Sequence, residues 1–219
     1  MALHRLPLLF NKNVSFFKLL GCGKNGSFDI HPDWQQWGIF AVSRETTKIN
    51  NANKQIYIDD LYGSFIGGWF RFFNCETWTV FLEPLEGHGS WDGRQPFGAL
   101  AKNNLYEGPV ATLTRATIRI NKLSAFWKNV AGVAKHMKSA DSLITSVGIG
   151  ELPFIKQATF SVWQSKEAMK QFAYHLKAHA EVIKKTRSQN WYSEDMFVRF
   201  KPLGSIGTLK GIDPLQGKL

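Results

Sequence analysis

The 219-residue chain echoes itself once, and that echo constrains its fold more than any other feature. "FFKLLGCGKNG" (16–26) matches "LITSVGIGELP" (143–153), each an apolar strand ending in Gly-x-Gly. "WGIFAVSRE" (37–45) parallels "TFSVWQSKE" (159–167), each a strand that runs into a helix through a serine. "TWTVFLEPL" (77–85) parallels "DMFVRFKPL" (195–203), and both end in Pro-Leu. The matches fall in the same order, as expected of two copies of one supersecondary unit.

The second copy is the easier to read. "VATLTRATIRI" (110–120) alternates β-branched residues and predicts a strand. Leu123, Phe126, Trp127, Val130, Val133, Ala134 and Met137 recur at helical spacing, which predicts a core-facing helix over 122–138. Strands follow at 142–150 and 157–163, a helix at 166–188 and a last strand at 195–200. Ser165 is placed to cap that helix, with Glu167 in its first turn. The order β-α-β-β-α-β is the split ferredoxin-like motif.

The first copy is shorter at its start. Only fifteen residues precede Phe16, where the second copy spends about thirty on a strand and a helix. "ALHRLPLLF" reads as the tail of that helix, its strand is missing, and an open sheet edge is expected there. The fold class is therefore α+β, two ferredoxin-like halves of which the first lacks its initial strand. The expected divisions are 1–88 (incomplete half), 89–109 (connecting loop), 110–203 (complete half) and 204–219 (tail).

Composition supports a folded, aromatic-rich interior, with 44% hydrophobic residues, eight Trp and seventeen Phe. Cys22 and Cys75 form neither a disulfide framework nor a zinc spacing, so a reducing, cytoplasmic setting is expected. No secretory signal and no run of about 20 apolar residues is visible. The formal charge of +10 favours nucleic acid, anionic lipid or an acidic protein as partner, although the basic residues are scattered.

His175 and His179 stand one turn apart on the helix 166–188. His179 falls in the apolar sector with Met169, Phe172, Leu176, Ala180 and Ile183, and His175 at its margin. The pair reads as a metal pair, as one haem ligand beside a bystander, or as two helix residues without chemistry. No third zinc ligand accompanies them. Neither Gly-x-Gly opens a helix, which disfavours a Rossmann cofactor site.

Several segments together resemble the spheroidene monooxygenase family: "FFKLLGCGKNGSF" (16–28), "GSWDGRQPF" (89–97), "LTRATIR" (113–119), "GIGELP" (148–153), "QATFSVW" (157–163), "HAEVIKKTR" (179–187) and "NWYSEDMFVRF" (190–200). The resemblance runs from Leu6 to Leu203. It implies an α+β barrel of two ferredoxin-like halves and a haem-dependent monooxygenase that oxidises an acyclic carotenoid with O2. It implies haem b as cofactor, with His179 as the axial ligand of the iron. Phe160, Trp163, Phe172, Leu176 and Ile183 are the expected walls of the haem or polyene pocket. Arg115 is the expected catalytic hydrogen-bond donor on the open side of the iron, opposite an anion such as a propionate. Trp91, Arg94 and Phe97 are expected at the substrate entrance.

No reductase domain is visible, so electrons are expected from a ferredoxin-type donor docking on the positive surface. A basic, aromatic-rich surface also suits peripheral membrane contact, and a homo-oligomer is expected. Two other readings accompany this one: a non-catalytic haem carrier or cofactor-free oxygenase of the same fold, and a βαββαβ RNA-binding module. The second lacks the basic-Gly pair and paired aromatics of that module, so nucleic acid is not the expected partner.

Overall fold

The computed structural model describes residues 2–24, 31–44, 53–129, 140–175 and 177–219. Of the side chains at 174–183, it describes that of Val182. A turn of 3-10 helix (Ala2–His4) leads into α1 (Arg5–Phe10), β1 (Val14–Gly23), β2 (Pro32–Ser43), α2 (Lys54–Phe72) and β3 (Trp78–Gly89). Then come β4 (Val110–Ile118), α3 (123–129), β5 (Leu143–Leu152) and β6 (Lys156–Trp163). The chain continues through α4 (Lys166–His175), α5 (Lys177–Ser188) and β7 (Tyr192–Gly207).

The fold is α+β. One seven-stranded sheet runs in the order β2-β1-β5-β6-β4-β7-β3. Its β5-β6-β4-β7 portion is the strand order of a complete βαββαβ unit. The same order applied to the first copy places its missing strand between β3 and β2, and those two are the edges of the sheet. The expected open edge lies there. Where the copies meet, Cys22 pairs with Ile149 and Gly21 with Gly150. Cys22 and Ile149 occupy equivalent places in the repeat, so a local two-fold passes through this pair.

Contacts divide the chain into two compact units, one of residues 1–19, 39–83 and 202–219, the other of 20–38 and 84–201. These boundaries differ from the repeat boundaries because β1, β2, β3 and β7 are long enough to contribute one end to each unit.

In the first unit α1 lies on α2, with the Asn11 side-chain amide donating to the Asp60 and Leu61 carbonyls. His4 is buried, its ring edge-on to Trp69 at 5.6 Å and to Phe70 at 5.5 Å. A break at Gly63 (φ 60°, ψ −175°) interrupts α2. The C-terminal segment is tied down by Asp213, which accepts from Trp78 Nε1 (2.9 Å) and the Ser205 hydroxyl.

The second unit holds the buried centre of the sheet. Ser165 caps α4 as predicted, its hydroxyl accepting from the Ala168 amide at 3.1 Å, and Glu167 lies in the first turn. The predicted helix over 122–138 is helical at 123–129; its remainder from 130 lies outside the described residues. The single predicted helix over 166–188 is divided into α4 and α5, and Leu176 lies outside the described residues.

Candidate functional site

β4 is the strand from which the site is built, because all but two of its residues are buried and both of its faces are covered. Alternation sends successive side chains to opposite faces, so antiparallel register fixes which residues meet. One face carries the row Val147, Phe160, Leu113 and Val198, with Arg115 one step further along. The other carries Val110 and Trp163, which pack with Met169 and Phe172 of α4. Helices α4 and α3 pack on this second face: Ile118, Phe126 and Trp191 form its other cluster, which Val182 of α5 joins. We call the two the loop face and the helix face.

On the loop face, Arg115 is 2% exposed. Its guanidinium bonds Glu194, lies 3.2 Å from Asp92 and 3.8 Å from Glu151, and sits 5.7 Å over the Trp91 ring. The residues 90–93 wrap this charge. Trp91 Nε1 donates to Glu151 at 2.7 Å, the Ser90 hydroxyl to Glu194 at 2.7 Å, and the Gly93 amide to Glu194 at 2.8 Å. Lys156 adds a contact of 2.7 Å to Asp92. Burial pushes the Glu194 carboxyl up, but the Gly93 amide, the Ser90 hydroxyl and Arg115 together outweigh it and leave its pKa lowered to about 2.

A second buried charge group lies on the helix face. Glu86 is 2% exposed, bonds Arg199, and accepts from Lys166 Nζ at 3.1 Å and from the Asn104 amide at 2.5 Å. Lys166 also donates to the Asn104 carbonyl at 2.9 Å, so the start of α4, β7 and Asn104 converge on one carboxylate of β3. Sequence reasoning missed this group. Its partners stand 80 and 113 positions from Glu86, and β3 carries a second acid, Glu83, so the sequence did not single Glu86 out.

The structure brings together some of the expected site residues and separates others. Trp163 and Phe172 meet, with ring centroids 5.0 Å apart on the helix face. Phe160 belongs to the loop face, so it does not share a wall with them. Arg115 also lies on the loop face, away from α4. The anion expected opposite it is supplied by three carboxylates of the protein itself. Trp91 is fully buried beneath Arg115 rather than at an opening, Phe97 packs edge-on against Phe200 at 5.3 Å, and Arg94 is exposed. The side chains of His175, His179 and Ile183, and Leu176 as a whole, lie outside the described residues. Among the described residues no group of three or more His, Cys, Asp or Glu is placed to hold a metal ion.

No protein-family model matches the chain. It is 33% identical over 223 residues to the spheroidene monooxygenase of Rhodobacter capsulatus, covering all of this chain and 88% of that protein. The Rubrivivax gelatinosus protein of the same name is 35% identical over 206 residues, 94% of this chain and 75% of its own. The chain belongs to the spheroidene monooxygenase family. A third member, from Cereibacter sphaeroides, is 32% identical over 98% of this chain, which spans 64% of that protein's length. Among solved structures, SnoaB, a cofactor-independent oxygenase from Streptomyces nogalater, is 13% identical with a TM-score of 0.34, covering 49% of this chain and 98% of its own.

For a spheroidene monooxygenase-family chain the expected haem makes two demands, an apolar wall and a ligand. On the helix face Trp163, Phe172, Val110 and Met169 form a buried apolar cluster without a charged side chain among them, with Tyr106, Ala140, Leu143 and Ala173 packed against it; its chemistry suits the first demand. Phe160 and Arg115, on the other face, do not complete it.

Proposed function

We propose that this chain is a monooxygenase that uses O2 and external electrons to oxidise an acyclic carotenoid, with a haem b held from the helix face. The observation that carries the reading is the 33–35% identity, over 94% or more of the chain, to proteins named spheroidene monooxygenase. His179, on α5, is the proposed iron ligand, an assignment that rests on the family resemblance. The haem, when bound, supplies the electron transfer and O2 chemistry that side chains lack.

The chain's own residues do the rest. Trp163 and Phe172, packed on each other in the buried helix-face cluster, are proposed as the apolar side of the haem pocket. Behind Trp163, its indole N–H donates to the Ser161 hydroxyl at 2.9 Å, and Ser161 in turn pairs with Thr112 at 2.7 Å. That chain satisfies the buried polar groups and fixes the indole plane. The Glu86–Lys166–Arg199 group anchors the first turn of α4, and so the helix that carries Phe172. Arg115 is assigned to positioning: it holds residues 90–93 on the sheet. Electrons are proposed to arrive from an acidic ferredoxin drawn to the positive surface.

The test is an absorption spectrum of the purified protein after supply of haem, followed by turnover. A Soret band near 400 nm that His179→Ala removes, and carotenoid product gaining oxygen in the presence of ferredoxin, reductant and O2, are the expected results. Product formed without any Soret band overturns the haem assignment and leaves a cofactor-free oxygenase. A Soret band without product from any acyclic carotenoid overturns the monooxygenase reading in favour of a haem carrier.

A further inference from the structure

The first compact unit exposes apolar side chains that a water-facing surface does not need. On α1 and its preceding turn, Leu3 (59% exposed), Leu6 (63%), Leu9 and Phe10 (80%) all face outward. Positions 3, 6 and 10 follow helical spacing, so they line one side. The inner side of the same segment is already used by His4 and Leu8, both 1% exposed.

α2 continues this surface after its break at Gly63. Phe65, Phe72 (82% exposed) and Phe73 are exposed, and ring contacts run from Phe65 to Trp69, from Trp69 to Phe73 and from Phe73 to Phe72. His4 touches Phe65, Trp69 and Phe70, so the start of α1 and the end of α2 lie side by side, each with exposed apolar side chains of its own. With Ile56, the segments 2–10 and 54–73 contribute eight of the sixteen exposed large apolar side chains among the described residues. Scattered exposed apolar residues are ordinary on a soluble surface; half of those described, drawn from two adjoining segments, mark an interaction surface.

The charge around it selects the partner. No acidic residue occurs before Asp29, whereas Arg5, Lys12, Lys18 and Lys24 do, and Arg71 is the sole charged residue over 64–75. Arg5, Lys12 and Arg71 are exposed; Asp59 and Asp60 are exposed too, stand before the Gly63 break, and lie where Asn11 at the end of α1 meets α2. An apolar face with Arg5, Lys12 and Arg71 at its margin fits the headgroup and acyl boundary of an anionic bilayer. None of the described helices is long and apolar enough to cross a membrane, so the contact is one that lies on the surface.

We propose that α1 and the C-terminal half of α2 form a docking surface for anionic lipid bilayers, with the leucines and phenylalanines entering the interface and Arg5, Lys12 and Arg71 meeting lipid phosphates. This holds whatever reaction the chain performs, because it uses none of the residues assigned to chemistry.

The experiment is flotation of the full chain with phosphatidylcholine vesicles, with and without about one third phosphatidylglycerol. The wild type is expected to float with the anionic vesicles and much less with the neutral ones. The triple variant Leu6→Ser, Phe10→Ser, Phe72→Ser alters only exposed side chains, and is expected to lower partitioning at least about tenfold with unchanged melting temperature. Arg5→Glu with Lys12→Glu is expected to abolish the preference for anionic vesicles. Wild type that stays in the soluble fraction, or a triple variant that floats equally well, overturns the proposal. So does a concentration-dependent dimer that the triple variant dissolves without any vesicle binding, which assigns the surface to a second copy of the chain.

Discussion

Replacing Arg115 by methionine tests the account of the loop face most directly. The guanidinium is 1% exposed and meets Glu194, Glu151 and Asp92, themselves 20%, 17% and 35% exposed in their side chains. Methionine keeps the volume of the stem and removes the charge. Loss of one partner of a buried ion pair costs about 3–5 kcal/mol, since the remaining charge stays desolvated. The low end applies here. Glu194 keeps its bonds from the Ser90 hydroxyl and the Gly93 and Asp92 amides, and Asp92 keeps Lys156. A loss of about 3 kcal/mol corresponds to a fall in melting temperature of roughly 6–12 °C for a chain of this size.

The pH dependence sharpens the test. In the native protein Glu194 is lowered to about 2, so its contribution is present above the unfolded carboxylate value of about 4.3 and is lost as pH falls toward 2. Without Arg115 the carboxyl rises, and the variant takes up a proton at mildly acid pH that the wild type does not. The penalty measured by denaturant titration is therefore smaller at pH 4 than at pH 7. A loss below about 1 kcal/mol at pH 7, or an equal loss at both pH values, refutes the buried-cluster account.

Two further outcomes are expected. Burial lowers the pKa of His4, so the neutral ring stabilises the α1–α2 contact above the unfolded value of 6.5, and that stability is lost as pH falls below it. Amide exchange in α1 accelerates between pH 6.5 and 5 relative to β4 and not in His4→Phe; exchange unaffected by pH in the wild type counts against it. Gly89 has φ +90°, and a Cβ there overlaps the Asp195 carbonyl and lies 2.8 Å from Met196 Cα, whereas Gly93 (φ +72°) has nothing within 4 Å. Gly89→Ala is therefore expected to cost about 3 kcal/mol or more and Gly93→Ala about 1 kcal/mol, and similar melting temperatures for the two variants defeat the close-approach argument.

Much of the fold was legible because its signals are local. The strand at 110–120, the Ser165 cap and the repeated Gly-x-Gly each depend on neighbours a few residues away, and all have counterparts in β4, α4 and the Cys22–Ile149 pairing. The candidate site was legible in part. Trp163 and Phe172 meet because both read as core, one on a strand and one on the adjoining helix. The separation of Phe160 from Trp163 was within reach of the sequence, since an odd spacing along one strand puts side chains on opposite faces. Treating all aromatics as one wall hid it.

The sequence by itself determined the strands of the second copy, the doubled unit and family membership, because each follows from short-range periodicity or residue identity. Only the tertiary structure decided that Arg115 answers to three carboxylates, that Glu86 gathers Lys166 and Arg199, and that the outer side of α1 is left apolar and bare. Those facts depend on which distant segments come into contact. A side chain's charge is written in the sequence, but the partner that neutralises it is chosen by strand register and by what the fold leaves uncovered.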